Sequence, residues 1–384
     1  MDRISKLPAG IIETILCLLP IQEAAGTSIL SREWRYHWIT IPKLVFVEDS
    51  FQVSSSGAEP SVLEQRFDGP SQRKGMTKRC KFFYAIYQVL LMHPGPIEEF
   101  TLCMDTDESC VEIDHIILHL SKRNTVKILK LDLNGMYTLP LSLFSLHQLR
   151  ELHLDGGALD LRSSFNGSSS LTTLDLREVY TCDETLLQIL STCPLLKRLT
   201  IMSDDGTTDV SGTSTIVDLI RCLPGIEYLS IWFFIFLCFA PNRLPKELPT
   251  TLVHLKYLCM EFVSFRHEYS LPFFVLLIRS SPNLEKLKLS MLEEELFGQH
   301  ATGSLTIEDY PDIMLAHLNE LEILHFSNEE NELAVVKLIL AKSPVLKNVR
   351  ILLSNEFDTD EKLKMSQILL SSPCASPVIN IIVS

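Results

Sequence analysis

The sequence lacks the cysteine patterns that mark redox sites, zinc sites or secreted proteins. Its ten cysteines include no C-x-x-C pair, and most lie within apolar runs. The N-terminus MDRISKLP intersperses acidic and basic residues, so we expect no secretory signal there. These features predict free, buried thiols in a reducing compartment, which means the nucleus, the cytoplasm or both.

Positive charge and long apolar runs are also scarce. The chain has 34 Lys and Arg against 48 Asp and Glu, a net charge of −14. This balance argues against nucleic acid as a partner, because phosphate backbones require a basic surface. The most apolar run, Leu229–Ala240, has twelve residues, whereas a membrane span needs roughly 20. We therefore interpret this run as buried core and expect no membrane association.

No catalytic motif stands out in the sequence. There is no nucleophile elbow, phosphate loop or metal cluster of diagnostic spacing. His115 and His119 are four residues apart with Glu112 nearby, and such a pair could hold zinc on one helical face. The H-E-x-x-H pattern is absent, however, and H-x-x-x-H pairs are common on solvated helices. We predict no catalytic residue, metal or cofactor, and a hydrolase at this pair is the remotest alternative.

A repeated hexad of the form L-x-x-L-x-L organises most of the chain. Its ten heads are Ile97, Val126, Leu149, Leu171, Leu196, Ile226, Leu255, Leu284, Leu321 and Leu346. Side chains alternate along a strand, so the fourth and sixth residues of each hexad point to one side. One such unit cannot bury its apolar face, but stacked units can.

The segments between hexads predict an α/β fold, a leucine-rich-repeat solenoid. Four of them end a helical apolar stretch with a proline two residues before the hexad, at Pro194, Pro224, Pro282 and Pro344. The asparagine that usually follows the hexad occurs only at Asn134. We therefore expect an irregular array of undetermined curvature.

The first fifty residues follow a different pattern. The segment ISKLPAGIIETILCLLP spaces its apolar residues as a helix between Pro8 and Pro20. Two more short helices are predicted, the last in SREWRYHWI, with Ser31 as its N-cap and Pro42 as its stop. Trp34 and Trp38 lie in this last segment, and a unit this small needs a partner surface or the rest of the chain.

These motifs resemble an F-box at residues 2–48: Leu-Pro, I-x-x-x-I-L-x-x-L-P, T-S-x-L-S-x-x-W-R-x-x-W and P-x-L-x-F. Glu330–Ile351 and the C-terminal SSPCASPVINIIVS resemble an FBD segment. The chain is thus similar to plant F-box proteins with leucine-rich repeats and a C-terminal FBD segment. We predict an F-box at 2–48, a linker at 49–81, repeats at 82–318 and an FBD segment at 319–384. Ala9 and His37 depart from the usual F-box residues.

The resemblance implies a non-catalytic substrate receptor of an SCF-type cullin–RING ubiquitin ligase. The partners would be the S-phase-kinase-associated adaptor, through it the cullin and RING subunits, and a target protein of unknown identity. An interaction scaffold outside any ligase is the alternative. The predicted adaptor-binding residues are Leu7, Pro8, Ile12, Ile15, Leu16, Leu19, Leu30, Trp34 and Trp38. Some of these residues could instead only pack the helices together.

The target-binding surface is expected on the side chains that alternate with the buried ones. The predicted residues are Arg177, Arg198, Tyr228, Trp232, Tyr257 and Glu261. Aromatic and arginine side chains are enriched at interface hot spots. Trp232 could alternatively pack under a neighbouring loop. The basic stretch Ser71–Lys81 is interpreted as part of a solvated linker, with a nuclear import signal as the alternative.

Overall fold

The computed structural model describes residues 7–32, 34–51, 78–107, 110–160, 169–202, 215–232, 248, 250–266, 270–292, 313–354, 357 and 359–384. The chain divides into two compact units. The first unit contains Met1–Leu171 and Glu178–Tyr180, and the second contains Thr172–Arg177 and Thr181–Ser384. Within the described ranges, no helix combines the length and the apolar character that crossing a bilayer would require.

The first unit begins with short helices and continues into parallel strands. In chain order its elements are α1 (Ala9–Leu16), α2 (Ile21–Gly26), 3-10 helices at Thr27–Ile29 and Trp34–Ile39, β1 (Lys43–Val47), α3 (Lys78–Met92), β2 (Glu99–Asp105), α4 (Glu112–Arg123), β3 (Ile128–Asn134), a 3-10 helix at Leu141–Ser145 and β4 (Glu151–Asp155). Strands β1 to β4 pair in parallel and in sequence order. The register places Leu102 opposite both Phe46 and Leu131, so these buried side chains form a row.

The second unit repeats the same architecture. Its elements are β5 (Thr173–Arg177), α5 (Asp183–Ser191), β6 (Arg198–Met202), α6 (Ile216–Arg221), β7 (Tyr228–Trp232), β8 (Tyr257–Val263), α7 (Ser270–Arg279), β9 (Lys286–Met291), β10 (Glu320–Phe326), α8 (Glu330–Lys342), β11 (Asn348–Leu353), α9 (Thr359–Leu370) and β12 (Asn380–Val383). Strands β5 to β12 pair in parallel and in sequence order. The predicted α/β repeat fold is confirmed.

Nine of the ten predicted hexads fold as their spacing predicts. In the hexad that opens with Leu196, the first, fourth and sixth side chains, Leu196, Leu199 and Ile201, are all buried. The chain enters this hexad through a turn in which the Leu196 N–H donates to the Cys193 oxygen at 3.1 Å. The turn contains Pro194, which ends the preceding helix as predicted.

One hexad head lies three residues earlier than predicted. The segment LNELEILHF contains two overlapping hexads, one starting at Leu318 and one at Leu321. The structure selects Leu318, because Leu321 pairs with Leu287 and Ile323 pairs with Leu289 of β9. Local spacing fits both registers, so the neighbouring strand decides which residues are buried.

The tail of the N-terminal motif is itself the first strand of the sheet. In IPKLVF the side chains of Ile41, Leu44 and Phe46 are buried, as in any hexad, and β1 pairs with β2. A ring nitrogen of buried His93 lies 2.8 Å from the Ile41 oxygen. The N-terminal helices therefore continue directly into the repeats, which separate sequence motifs did not reveal.

Two further expectations require correction. Helix α3 begins at Lys78, so the last residues of the predicted linker are helical, while 52–77 lie outside the described residues. No disulfide joins the described cysteines, but only three of them are buried, and Cys80 is exposed on α3. Cys238 lies outside the described residues. Apolar neighbours in sequence therefore overstated the burial of the thiols.

Candidate functional site: two exposed surfaces

Helix α1 is apolar on two sides. Ile12 and Leu16 point into the first unit and are almost fully buried. Ile11 and Ile15 lie on the other side of the helix, and Leu18, two residues past its end, continues their spacing; the three are 48%, 37% and 79% exposed. A helix with one apolar side in the core and another in solvent is typical of a protein-binding element.

The residues predicted to bind an adaptor divide between the surface and the core. Pro8, Ile15 and Leu30 are exposed, and Leu7 and Leu19 are half-buried. The structure buries four others, which serve as core as the alternative interpretation allowed: Ile12, Leu16, Trp34 and Trp38.

Both indoles belong to a 3-10 helix, Trp34–Ile39, within the segment predicted to be helical. The hydroxyl of Ser31 accepts a hydrogen bond from the backbone N–H of Trp34 at 3.3 Å, which confirms Ser31 as a cap. Both side chains are about as buried as any in the chain, so the two tryptophans give this small unit its core.

Sequence reasoning missed four exposed apolar residues beside this surface: Ile11, Leu18, Ile29 and Tyr36. The i, i+4, i+7 spacing of Ile11, Ile15 and Leu18 was a usable signal. Together with Leu30, these residues define what we call the N-terminal apolar surface: Ile11, Ile15, Leu18, Ile29, Leu30 and Tyr36. Surfaces of this kind on a folded protein mark contact sites for other proteins.

The start of α1 has no electrostatic support. Pro8 occupies the N-cap position, no side chain caps the helix, and its first turn contains no acidic residue. Ala9 and Gly10 in the first turn supply neither a capping side chain nor a negative charge, so the helix start is weakly stabilised.

The second unit carries an aromatic stack on the solvent side of its strands. Tyr228 and Tyr257 are opposite each other on β7 and β8, and their rings stack with centroids 4.4 Å apart and planes within 3°. The Arg198 guanidinium carbon lies 4.2 Å from the centroid of the Tyr228 ring. The repeat register thus aligns three predicted residues into one stack across β6, β7 and β8. Burial raises the pKa of the Tyr257 hydroxyl, and the nearby Cys259 and Tyr228 add to this effect.

Charged groups beside the stack are held in pairs. Arg177 donates to Asp175 through two nitrogens, at 3.1 and 3.3 Å. The Lys288 ammonium lies 3.2 Å from the Glu261 carboxylate, which also accepts a hydrogen bond from the Cys259 thiol at 3.1 Å. Burial, with the Glu261 charge as the next cause, raises the pKa of Cys259 to about 12, so this thiol stays protonated at neutral pH.

Trp232 does not join this surface. Its side chain is 6% exposed and packs edge-on against Phe262, with ring centroids 6.1 Å apart. The sequence left burial open as the alternative for this residue, and we therefore leave Trp232 out of the proposed contact surface. Phe262 is 39% exposed and has a φ of +55° at a bulge in β8. The bulge turns this ring outward, a placement that the hexad pattern does not predict.

A shallow depression of about 360 Å³ lies beside the stack, also in the second unit. It begins at Tyr257 and extends across β9, β10 and β11 to β12. Its polar lining includes Lys286, Lys288, Glu320, Glu322, Asn348, Arg350 and Asn380. We call the stack and the depression together the open face of the second unit.

The remaining sequence candidates do not form a site. His115 is exposed, whereas His119 is half-buried and has a lowered pKa, chiefly because of burial. Among the residues that the structure describes, no cluster of three or more His, Cys, Asp or Glu side chains could hold a metal ion. Of the basic stretch, Lys78 and Arg79 form ion pairs with Asp49 and Asp107, and 71–77 lie outside the described residues.

Comparison with known proteins identifies the family. The FBD family model matches residues 308–351. An F-box/FBD/LRR-repeat protein of Arabidopsis thaliana is 30% identical, with 98% of this chain and 97% of the relative aligned. The chain belongs to the F-box/FBD/LRR-repeat family.

Further matches include a second protein from the same plant and a solved bacterial structure. A putative F-box/FBD/LRR-repeat protein of Arabidopsis thaliana is 27% identical over 95% of this chain and 92% of the relative. A leucine-rich-repeat protein of Leptospira interrogans, whose structure is solved, aligns with a TM-score of 0.34 at 17% identity, over 74% of this chain and 63% of that one. The FBD match covers α8 and extends into β11. The matched family and relatives carry no enzyme designation.

Proposed function

We propose that this F-box/FBD/LRR-repeat protein is the target-recognition subunit of an SCF-type cullin–RING ubiquitin ligase. The N-terminal apolar surface would bind the S-phase-kinase-associated adaptor, and the open face of the second unit would bind the target. The chain itself would have no catalytic group. An E2 enzyme on the RING subunit would transfer ubiquitin. The complex would speed this transfer by holding target lysines near the E2 at high effective concentration.

The exposed stripe of Ile11 and Ile15 on α1 and Leu18 just beyond its end is the observation that carries this proposal. Leu18 is 79% exposed although the rest of the F-box is well packed around Trp34 and Trp38. Isolated apolar residues on a surface need no explanation, but six exposed apolar side chains between residues 11 and 36 do. Because β1 follows the N-terminal helices and pairs with β2, an adaptor bound to these helices would be connected to the first repeats through the sheet.

The target surface is proposed from Arg198, Tyr228 and Tyr257. These side chains come from three successive strands and form one aligned stack. A stacked arrangement reduces the conformational freedom that binding would otherwise have to remove. Arg177 and Glu261 flank the stack in ion pairs, and we propose them as the rim of the contact.

A matched set of F-box variants tests the proposal. The chain is co-expressed with the adaptor, and the amount of adaptor that co-purifies is measured. Ile15→Asp and Leu18→Asp should reduce this amount strongly, since each buried leucine-sized side chain contributes roughly 1.5–3 kcal/mol at an interface. Leu91→Asp is the control, because Leu91 is a 74% exposed leucine on α3 that is not one of the six residues of the N-terminal apolar surface. Failure of the wild-type chain to bind adaptor, or indifference to both α1 variants, would refute the proposal.

A scaffold without a ligase remains the second candidate, and the uncapped start of α1 favours it. A helix without an N-cap or an acidic first turn is easily frayed. A frayed α1 would present Ile11 and Ile15 less rigidly to an adaptor. Ala9→Asp restores negative charge at this position, so it should strengthen adaptor binding if the ligase function holds. A chain that binds targets but no adaptor, with or without this change, would be a scaffold.

A further inference from the structure

Arg198 differs from the other cations on the open face of the second unit. Arg177 is paired with Asp175, Lys286 with Glu320 at 2.6 Å, Lys288 with Glu261 at 3.2 Å and Arg350 with Glu322 at 3.6 Å. Among the residues described on this face, Arg198 is the cation that has no carboxylate within ion-pair distance.

The stack on Tyr228 prepares this guanidinium for an anion. A guanidinium that lies over an aromatic ring uses its flat face, and its N–H donors point outward in the plane. Those donors match the two oxygens of a carboxylate in a bidentate geometry. The stacked Tyr257 supports Tyr228 from the other side, at a centroid distance of 4.4 Å.

We propose that Arg198 binds the carboxylate of an aspartate or glutamate in an extended segment of the target protein. The proposal rests on the proposed function of the open face as the target-binding surface. The aliphatic part of the acidic residue and its neighbours lie along the Tyr228 and Tyr257 rings. The recognised chemistry is therefore a single acidic side chain followed by an extended peptide.

Charge complementarity favours a carboxylate over a phosphorylated side chain. A phosphoryl group carries a charge of about −1.5 to −2 at neutral pH and is usually held by several cations. Here one cation is unpaired, and the carboxylates of Asp175 and Glu261 belong to the same face. A single negative charge matches this site, whereas a dianion would leave charge uncompensated.

The depression beside the stack indicates how long the bound target segment is and where its other end lies. Six strand spacings separate β6 from β12, which at about 4.8 Å each is roughly 29 Å. An extended peptide covers this distance with about nine residues. At the far end Asn348 and Asn380 are opposite each other and exposed, so their amides can bond to a peptide backbone. Ile382, which is 52% exposed, offers an apolar contact there.

A peptide-display selection tests this inference. A random nine-residue library is selected on the immobilised full chain, on Arg198→Gln and on Arg221→Gln. Arg221 is exposed on α6 and pairs with Asp218, so its variant removes the same charge away from the open face. The wild-type chain and Arg221→Gln should enrich Asp or Glu at one position, and Arg198→Gln should not. Absence of any enriched peptide, or acidic enrichment that persists in Arg198→Gln, overturns the inference.

Binding of one selected peptide, measured by fluorescence anisotropy, identifies the anion. Replacing its acidic residue with the matching amide should weaken binding to the wild-type chain about tenfold or more. The same replacement should have little effect on Arg198→Gln, because the partner is already missing. Phosphoserine at that position should bind no more tightly than the carboxylate. Tighter binding of phosphoserine would overturn the carboxylate assignment in favour of a phosphorylated target.

Adaptor co-purification separates this inference from the proposed function. Acidic enrichment that depends on Arg198 without adaptor binding would support the recognition site and refute the ligase role. Adaptor binding without peptide enrichment would support the ligase role and refute the recognition site at Arg198.

Discussion

Glu332 provides the sharpest prediction about stability. This residue lies in α8 within the FBD match, and it is 4% exposed. Its carboxylate accepts hydrogen bonds from the Ser327 N–H at 2.9 Å and from the Ser327 hydroxyl at 3.0 Å. Burial raises the pKa of Glu332 to about 7 in spite of these bonds, and the neighbouring Glu329 carboxylate adds to the rise.

The sign of the pH dependence follows from this direction. Below about pH 4.5 Glu332 is protonated in both the folded and the unfolded chain, so its charge costs nothing. As pH rises from 4.5 to about 7, the unfolded chain releases the proton first, and the folded state loses stability relative to it. At 1.36 kcal/mol per pKa unit the total loss is roughly 3 kcal/mol, complete above about pH 7.

Glu332→Gln isolates this contribution. The amide has the same shape and can still accept from the Ser327 N–H, but it carries no charge. The free energy of unfolding in urea, measured from pH 5 to pH 8, should therefore fall more for the wild-type chain than for the variant. The difference between the two should shift by roughly 3 kcal/mol in favour of Glu332→Gln across this interval.

Glu330→Gln is the matched control, because Glu330 is exposed in the first turn of the same helix. This substitution removes one negative charge from an exposed position, so it should change the free energy of unfolding by no more than about 0.5 kcal/mol. A stability difference between wild type and Glu332→Gln that does not change with pH would refute the reasoning. So would a relative gain of the wild-type chain at high pH.

Three further predictions concern packing and thiol reactivity. Leu318→Ala should lower the free energy of unfolding by about 2–5 kcal/mol, because Leu318 is fully buried as a hexad head; a change below about 1 kcal/mol in urea unfolding would contradict the assigned register. Gly156→Ala should destabilise the first unit, since Gly156 has a φ of +75° and a Cβ there would lie 2.1 Å from the Leu133 oxygen; an unchanged melting temperature would contradict this geometry. Iodoacetamide at pH 8 should alkylate exposed Cys80 well before buried Cys259, whose pKa is raised to about 12; mass spectrometry of timed samples measures the order, and early labelling of Cys259 would argue against its burial.

Much of the fold could be predicted from periodicity. The fourth and sixth residues of a hexad are buried because side chains alternate along a strand, and this held for Leu199 and Ile201. Proline before a hexad ends a helix for a local steric reason, so Pro194 gave a reliable boundary. The family resemblance required only these local patterns and the two tryptophans of the F-box.

The surfaces were less predictable, because burial depends on neighbours that are distant in sequence. Helix α1 has two apolar stripes, and its own residues do not say which stripe packs against the 3-10 helix at Trp34–Ile39. The predicted adaptor-binding set therefore included Ile12 and Leu16, which are buried, and omitted Ile11 and Leu18, which are exposed.

The sequence by itself determined the repeat, the turns and the family, since each depends on interactions between residues close along the chain. Only the tertiary structure decided the register at Leu318, the continuation of the F-box into β1 and the burial of Trp232. The same holds for the charges on the open face, where strand register gives every described cation except Arg198 a carboxylate partner. Pairing between strands fixes which side chains meet, and that information is not contained in any single hexad.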